Sequence, residues 1–277
     1  MEKEIKEDKL ISCIMTAYNT ENLIGEAIES LIKQTYKNLE IIIIDDCSTD
    51  STLEKIKEHM KKDKRIRGFK SNINYGPFVG KNYGLKVAKG DYFIFHDSDD
   101  KCSENYIKYS YLNYLNNQSK VTFTACKVIH SKETLEKYGR GEDIESVRIC
   151  NQSSFFGRDV FEEVGYFDSV RFGSDSEFRD RLIAYYDKLV GINLDLILYY
   201  YLKREGGLTC SKETGFNNGK NLVRETYRQN YTNYHKKIKS KEVSPYVSFP
   251  QTKFNYEYDN QMLNKYQVDL NKFEELK

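Results

Sequence analysis

Tryptophan is absent from the 277-residue sequence and proline occurs only three times, although there are 23 tyrosines and 15 phenylalanines. The longest apolar runs, at 41–44 and 196–202, are much shorter than the roughly 20 residues that a membrane-spanning helix requires. No apolar segment follows the charged first residues, so we expect no signal peptide. These absences predict a globular chain without a transmembrane segment.

The sequence also lacks an excess of charge of either sign, since 43 lysines and arginines face 42 aspartates and glutamates. A net charge of +1 creates no overall field for nucleic acid, so we expect no nucleic-acid partner. The cysteines are far apart, which argues against zinc or a disulfide scaffold and favours a reducing compartment. We therefore expect a cytoplasmic protein, with peripheral attachment to a membrane left open. The cysteines are Cys13, Cys47, Cys102, Cys126, Cys150 and Cys210.

Strands and helices alternate in the first part of the chain. Continuous apolar runs predict buried parallel strands, and apolar stripes at helical spacing predict helices between them. Such repeats indicate an α/β fold with a mostly parallel sheet, right-handed crossovers and flanking helices. The predicted strands are 10–16, 39–44, 65–70 and 92–96. The predicted helices are 23–32 and 81–89, and between them a helix that begins with a capping box at Ser51 and Glu54.

The pattern is less regular after residue 100. We predict one domain over 1–215 and an extension over 216–277, expected to be helical and able to support an oligomer. The polar segment 131–146 is predicted to be a surface excursion. The later elements are predicted helices at 105–115, 159–164 and 221–239, and predicted strands at 121–129, 147–156 and 194–202.

Three carboxylates follow the strand at 92–96 within four positions: Asp97, Asp99 and Asp100. Crowded anions repel one another, and a divalent cation removes that repulsion. Hard oxygen ligands suit Mg²⁺ or Mn²⁺, which bind one or two carboxylates together with substrate phosphates. Ligands of an open α/β sheet bind outside the carboxyl ends of its strands, which is where these residues fall. By themselves they fit equally well an acidic turn that caps the next helix.

Familiar nucleotide-binding motifs are missing. The chain has neither a Gly-x-Gly-x-x-Gly fingerprint after its first strand nor a Gly-Lys-Ser/Thr phosphate loop. A dinucleotide dehydrogenase and a P-loop NTPase are therefore not favoured.

Five blocks of sequence, in matching order and spacing, resemble the N-terminal half of family 2 glycosyltransferases of the GT-A fold. They cover roughly residues 10–115, so the domain would divide into a nucleotide-binding half and an acceptor-side half at 116–215. A looser resemblance extends to about residue 215. The blocks are 12–19, 34–36, 40–48, 76–90 and 97–100, and the looser matches are Gly165-Tyr166-Phe167-Asp168, Asp175, Arg181 and 204–209.

The resemblance implies a metal-dependent transferase that uses a nucleotide-sugar donor, for which a UDP-sugar is favoured. Tyr18 would pack on the base and Asp46 would accept a hydrogen bond from the uracil ring. The metal, Mn²⁺ or Mg²⁺, would lie on Asp99. The remaining assignments are Thr16 and Ala17 in the base pocket, Lys81 near the diphosphate, Asp97 and Ser98 near ribose or sugar, Asp97 and Asp100 as further metal carboxylates, and Arg204 in a diphosphate loop.

The family usually inverts the anomeric carbon in one displacement, which requires a base on the acceptor hydroxyl. The matching position is Asp175, although this chain has Ser174-Asp175 where the family has Glu-Asp. Glu177 and Asp180 are the competing carboxylates. A helix N-cap is the structural alternative for Asp175.

Two other functions compete with sugar transfer to the hydroxyl of a glycan, lipid-linked or protein acceptor. A sugar-nucleotide-forming nucleotidyltransferase would need glycine and a cation after the first strand, and residues 18–21 contain neither. A non-catalytic nucleotide-sugar-binding module would not need all three carboxylates at Asp97, Asp99 and Asp100, so their presence argues against it.

Overall fold

The computed structural model describes residues 9–117, 119–130, 145–149, 151–187, 190–204, 207–210, 214–215, 221–264 and 266–277. The strands are β1 (Ile11–Ala17), β2 (Leu39–Asp45), β3 (Ile66–Ser71), β4 (Tyr92–Asp97), β5 (Lys101–Cys102), β6 (Val121–His130), β7 (Glu145–Ile149), β8 (Phe155–Gly157), β9 (Val190–Lys203) and β10 (Phe273–Glu275). The helices are α1 (Ile24–Ile32), α2 (Thr52–Lys62), α3 (Pro77–Val87), α4 (Tyr106–Asn117), α5 (Arg158–Val164), α6 (Ser174–Tyr186) and α7 (Leu222–Lys239).

The described strands form one mixed sheet in the order β10-β3-β2-β1-β4-β8-β6-β9-β5, with β7 paired to β6. Strands β3, β2, β1 and β4 are parallel neighbours, which confirms the predicted α/β architecture. Every residue of β1 and β2 is buried because helices cover both faces of this part of the sheet. Cys13 and Met15 pack toward α1, whereas Ile14 packs toward α3.

Helix α3 lies unusually close to β1 because glycines face the strand. A Cβ atom on Gly80 would lie 2.7 Å from Thr16 Cγ2. The helix begins at Pro77, one turn before its predicted start, because Gly76 has a positive φ of 88° and proline suits the first helical turn. This close packing places Lys81 directly beside the carboxyl end of β1.

Two local predictions in the domain are wrong. Ser51 makes no side-chain cap, and Asp50 Oδ1 instead accepts from Thr52 N at 3.0 Å. The strand predicted over 147–156 is broken into β7 and β8 by a short 3₁₀ turn, Asn151–Ser153. Ser153 Oγ accepts from Thr124 N at 2.8 Å and donates to Thr124 O at 3.0 Å, which fixes that turn against β6. The predicted excursion at 131–146 lies largely outside the described residues.

The extension is helical only in its first part. Helix α7 confirms the helix predicted at 221–239, but beyond it the described residues contain only a short 3₁₀ turn (Leu270–Lys272) and strand β10. The last residues of the extension pair antiparallel with the edge of β3. Within the described ranges, no helix is both long and apolar enough to cross a membrane.

Candidate active site

The carboxyl ends of β1, β2 and β4 meet at one edge of the sheet, where Thr16 lies beside Ile44 and Asp97 in register. A cavity of about 640 Å³ opens there and continues toward α6. All the predicted site residues except Asp100 line it. They are Thr16, Ala17, Tyr18, Asp46, Lys81, Asp97, Ser98, Asp99, Asp175 and Arg204.

Tyr18 and Asp46 form one end of the cavity and differ sharply in burial. The Tyr18 side chain is 47% exposed, whereas Asp46 is 2% exposed. Asp46 accepts from Tyr75 N at 2.9 Å through Oδ1 and from Gly76 N at 2.7 Å through Oδ2. Burial raises the pKa of Asp46 to about 7, although those two hydrogen bonds lower it. Asp46 therefore orders the loop before α3 as well as lining the cavity.

Lys81 and Asp97 form a mostly buried ion pair in the middle of the cavity. Lys81 Nζ donates to Asp97 Oδ1 at 2.8 Å, and the lysine side chain is 4% exposed. Burial would lower the pKa of Lys81, but the charges of Asp97, Asp175 and Asp100 raise it above its ordinary value. Lys81 is therefore a fixed cation between the end of β4 and the start of α6.

Asp99 and Asp100 are held by different partners. Asp99 Oδ2 accepts from Arg204 Nε at 2.8 Å, which brings the segment after β9 to the cavity. Asp100 is 1% exposed, and its oxygens accept from Tyr199 Oη at 2.8 Å and Leu202 N at 2.8 Å. Because both Asp100 oxygens already accept from donors in β9, this carboxylate is placed to anchor β9.

Asp175 lies in the first turn of α6 and is not its N-cap. The cap residue is Gly173, in the left-handed region with φ 86°, so the alternative of an N-cap aspartate is wrong. Asp175 Oδ2 accepts from Asn151 Nδ2 at 3.2 Å. Asp175 also lies near enough to Lys81 for its charge to raise the lysine pKa.

The competing carboxylates Glu177 and Asp180 are engaged elsewhere. Glu177 is 1% exposed and lies 3.0 Å from both Arg181 Nε and His235 Nε2. Asp180 accepts from Arg179 and, at 3.0 Å, from Tyr231 Oη. Neither residue lines the cavity, so Asp175 is the carboxylate that α6 presents to it.

A sequence model described as "Glycosyl transferase family 2" matches residues 12–176, which is more than half of the chain. Glycosyltransferase GlyG of Streptococcus pneumoniae is 31% identical over 222 residues, covering 72% of this chain and 73% of that protein. The chain belongs to glycosyltransferase family 2. Other curated relatives are matched over only about a quarter to a third of their own length.

Two further comparisons concern a related sequence and a solved structure of similar fold. An Escherichia coli protein named UDP-Glc:alpha-D-GlcNAc-diphosphoundecaprenol beta-1,3-glucosyltransferase WfaP is 48% identical over 92 residues, covering 33% of this chain and 36% of that enzyme. The crystal structure of S. aureus TarS 1-349 in complex with UDP-GlcNAc has a TM-score of 0.58 at 24% identity, covering 72% of this chain and 60% of that one. The second likeness confirms the predicted GT-A fold. The match to the E. coli enzyme covers only about a third of that enzyme's length.

The family pattern missed several residues that line the cavity. Asn74, Asn151 and Arg171 come from loops and turns whose positions depend on tertiary packing, and Arg179 lies in α6. Arg224 lies in the first turn of α7, beyond the part of the chain that the family model matches. Its guanidinium lies 4.8 Å over the Phe172 ring, and Nε donates to Thr214 O at 2.7 Å. No spacing in the sequence links this position to Asp175.

Proposed function

We propose that the protein is a metal-dependent, inverting transferase that moves one sugar from a UDP-sugar to an acceptor hydroxyl. The observation that carries the proposal is the convergence of Lys81, the pair Asp97 and Asp99, and Asp175 on one cavity at the carboxyl edge of the parallel strands. This convergence supports binding of a leaving diphosphate by Lys81, Asp97 and Asp99, with Asp175 as a separate carboxylate for the acceptor.

The end of the cavity formed by Tyr18 and Asp46 supports the binding of a uridine nucleotide. Tyr18 presents an exposed ring on which a base can stack, and Asp46 presents a carboxylate that can accept from the uracil N–H. Each carboxylate oxygen has two acceptor sites, so the hydrogen bonds from Tyr75 and Gly76 leave capacity for a ligand. The UDP-Glc in the name of the E. coli relative and the UDP-GlcNAc bound to TarS support the same donor class.

The residues at the end of β4 fit a divalent cation by their chemistry. Asp97 and Asp99 are hard oxygen donors on the same cavity, and their side chains are 23% and 21% exposed. Burial raises the pKa of Asp99 despite the nearby charge of Arg204, so a further cation would favour its ionised form. Among the described residues no cluster of three or more acidic, histidine or cysteine side chains completes a metal site. Asp99 and Asp97 would therefore hold Mn²⁺ or Mg²⁺ together with ligands from outside the protein.

A bound divalent cation would neutralise the departing diphosphate. Lys81 and Arg204 are placed to contribute further positive charge as the bond between the sugar and the diphosphate breaks. Ser98, 5% exposed, accepts from Thr20 Oγ1 at 3.2 Å, which holds the turn between Asp97 and Asp99.

Asp175 is the proposed general base. In a single displacement, the acceptor oxygen attacks the anomeric carbon, the bond to the diphosphate oxygen breaks, and the hydroxyl proton passes to Asp175. Asp175 lies in the first turn of α6 and accepts the proton as the attacked hydroxyl becomes acidic. Asn151 Nδ2 orients the carboxylate through the 3.2 Å hydrogen bond to Oδ2.

The acceptor class proposed is a glycan, a lipid-linked sugar or a protein hydroxyl, of which the lipid-linked class matches the name of the E. coli relative. We also propose a cytoplasmic location, at a membrane surface or away from it. The free thiols of Cys13, Cys47 and Cys102 support a reducing compartment.

The test is a screen of UDP-glucose, UDP-GlcNAc and GDP-mannose for thermal stabilisation and for nucleotide release, with Mn²⁺ and with chelator. We expect stabilisation and metal-dependent release with a UDP-sugar. Stabilisation without release under every acceptor tried would favour a binding module. Formation of a UDP-sugar from UTP and a sugar phosphate would establish a nucleotidyltransferase and overturn the proposal.

A further inference from the structure

Asp168 is a buried carboxylate at the start of the loop that leads into α6. It is 1% exposed, and three side chains of the C-terminal extension donate hydrogen bonds to it. Tyr227 Oη donates to Oδ2 at 2.8 Å, Tyr256 Oη donates to the same oxygen, and Gln251 Nε2 donates to Oδ1 at 3.1 Å. All three donors lie beyond residue 176, where the family model ends.

The backbone of the same loop is also bound by the extension. Gln251 Oε1 accepts from Ser169 N at 2.8 Å, and Asn264 Nδ2 donates to Ser169 O at 2.7 Å. Arg171 N donates to Met262 O at 2.9 Å. The extension therefore fixes the loop through both its side chains and its main chain.

The residues that follow Asp168 form the wall of the cavity opposite the donor-binding strands. Phe172 is buried in an apolar cluster with Tyr227 and Met262. At Gly173, a Cβ atom would lie 3.5 Å from the Tyr227 ring, so this ring packs against the N-cap of α6. Phe172, Gly173 and Asp175 all line the cavity. The position of Asp175 thus depends on contacts made by α7 and the segment after it.

The hydrogen bonds around Asp168 favour a single arrangement of its donors. A buried carboxylate is costly unless donors surround it, and losing one donor leaves the others misplaced. Burial, with the charge of Asp168, raises the pKa of Tyr227 well above its ordinary value, so its hydroxyl stays protonated and able to donate. The network can therefore hold the loop in one geometry across the neutral pH range.

We propose that Asp168 is a positioning residue that couples the extension to the acceptor wall, and that Tyr227 and Tyr256 act through it to hold Asp175 at the reacting hydroxyl. This inference rests on the proposed function of Asp175. It makes the extension part of the catalytic unit, although the extension lies outside the region that the family model matches.

The test removes only two hydroxyl groups, in the full-length double variant Tyr227→Phe with Tyr256→Phe. We expect kcat for UDP release from UDP-glucose to fall about 10- to 100-fold, because a displacement near 1 Å at a reacting group has an effect of that order. The Kd for UDP, measured by calorimetry, should stay at the wild-type value. Amide hydrogen exchange at Ser169 and Arg171 should accelerate, and adding Asp175→Asn should lower kcat no further than that substitution does alone.

Tyr234→Phe is the matched control, since it removes a hydroxyl of the same helix that donates to Ser244 O at 3.2 Å and keeps the ring that packs against Tyr256. Wild-type kcat in the double tyrosine variant would overturn the inference, as would an equal loss in the control or a parallel loss of UDP affinity. Additive losses in the combined variant would also overturn it. Wild-type kcat in Asp175→Asn alone would instead refute the proposed base, so the two failures are distinguishable.

Discussion

The two sides of the cavity are built by different means. On the proposed donor side, Thr16, Asp46 and Asp97 each stand at or just beyond the carboxyl end of a parallel strand, and neighbouring strands bring them together. On the proposed acceptor side, Asp175 follows a loop whose partners are 59 to 88 positions away along the chain, counted from Asp168. The first arrangement follows from the sheet itself, whereas the second requires the extension to be folded.

This difference predicts that donor binding and sugar transfer can be damaged separately. Changes at the strand ends should reduce nucleotide or metal binding. Changes at the wall formed by the loop and α6 should reduce transfer or stability while nucleotide affinity is retained.

The largest effect is expected at Asp99. Asp99→Asn removes the charge that would hold Mn²⁺ or Mg²⁺ and should lower turnover by at least about 10³-fold, consistent with the loss of a major electrostatic contribution. Because Asp99 is largely buried with Asp97 and Asp100 nearby, the substitution should leave the melting temperature without metal equal to wild type or higher. UDP release with and without chelator measures this. Full activity in excess chelator would contradict the metal-dependent donor side.

The next effect concerns stability on the acceptor side. Glu177→Gln leaves the buried Arg181 guanidinium, 1% exposed, without its 3.0 Å carboxylate partner. Breaking such a pair on one side costs about 3–5 kcal/mol of unfolding free energy. Denaturant titration measures the loss, and Asp187→Asn, whose ion pair with Lys239 is exposed, is the control. A loss as small as in the control would contradict a stabilising role for this buried ion pair within α6.

Asp46→Ala should weaken UDP binding by about 1–3 kcal/mol, as expected for the loss of a buried hydrogen bond to a charged group. Calorimetric titration with UDP, GDP and ADP separates reading of uracil from general damage to the loop at Tyr75 and Gly76. A selective loss for UDP supports the proposed contact. Equal affinity of the wild-type protein for all three nucleotides would contradict it.

The smallest effect is a pH dependence from Asp46. The pKa of Asp46 in the folded protein, about 7, lies above the ordinary value of 3.8. At a pH between these two values, the folded state therefore keeps a proton on Asp46 that the unfolded state has lost. Its contribution to stability is therefore present below about 4 and is lost as the pH rises through about 7. UDP affinity should change in the opposite direction, rising by up to about tenfold per pH unit as the carboxylate forms. Asp46→Asn should flatten both curves.

The sequence could predict most of the donor side and little of the acceptor side. Continuous apolar runs located β1, β2 and β4, and polar residues after parallel strands must meet at one edge, which is where the structure has Asp46 and Asp97. Asp175 was reached only through the family resemblance. Arg224 and the partners of Asp168 carry no periodic signal, because an isolated arginine or tyrosine in a polar helix is equally compatible with solvent exposure.

The boundaries that were mispredicted have local physical causes. Helix α3 begins one turn before its predicted start because Gly76 has a positive φ and Pro77 suits the first helical turn. The turn at Asn151–Ser153 interrupts a run that looks like one strand, because Ser153 bonds to the backbone of Thr124. Such side-chain bonds compete with the strand ladder and cannot be read from hydrophobic periodicity.

The most direct test of the account compares kcat and UDP affinity in Asp175→Asn, with Asp46→Ala measured alongside. Asp175→Asn preserves size and removes the base, so kcat should fall by about 10²–10⁴-fold while the Kd for UDP remains that of the wild type. Asp46→Ala should have the opposite effects: UDP binding should weaken, and kcat at saturating donor should change less. Wild-type kcat in Asp175→Asn, or a loss of UDP affinity in proportion to its loss of activity, would contradict the division of the cavity into a donor side and a catalytic acceptor side.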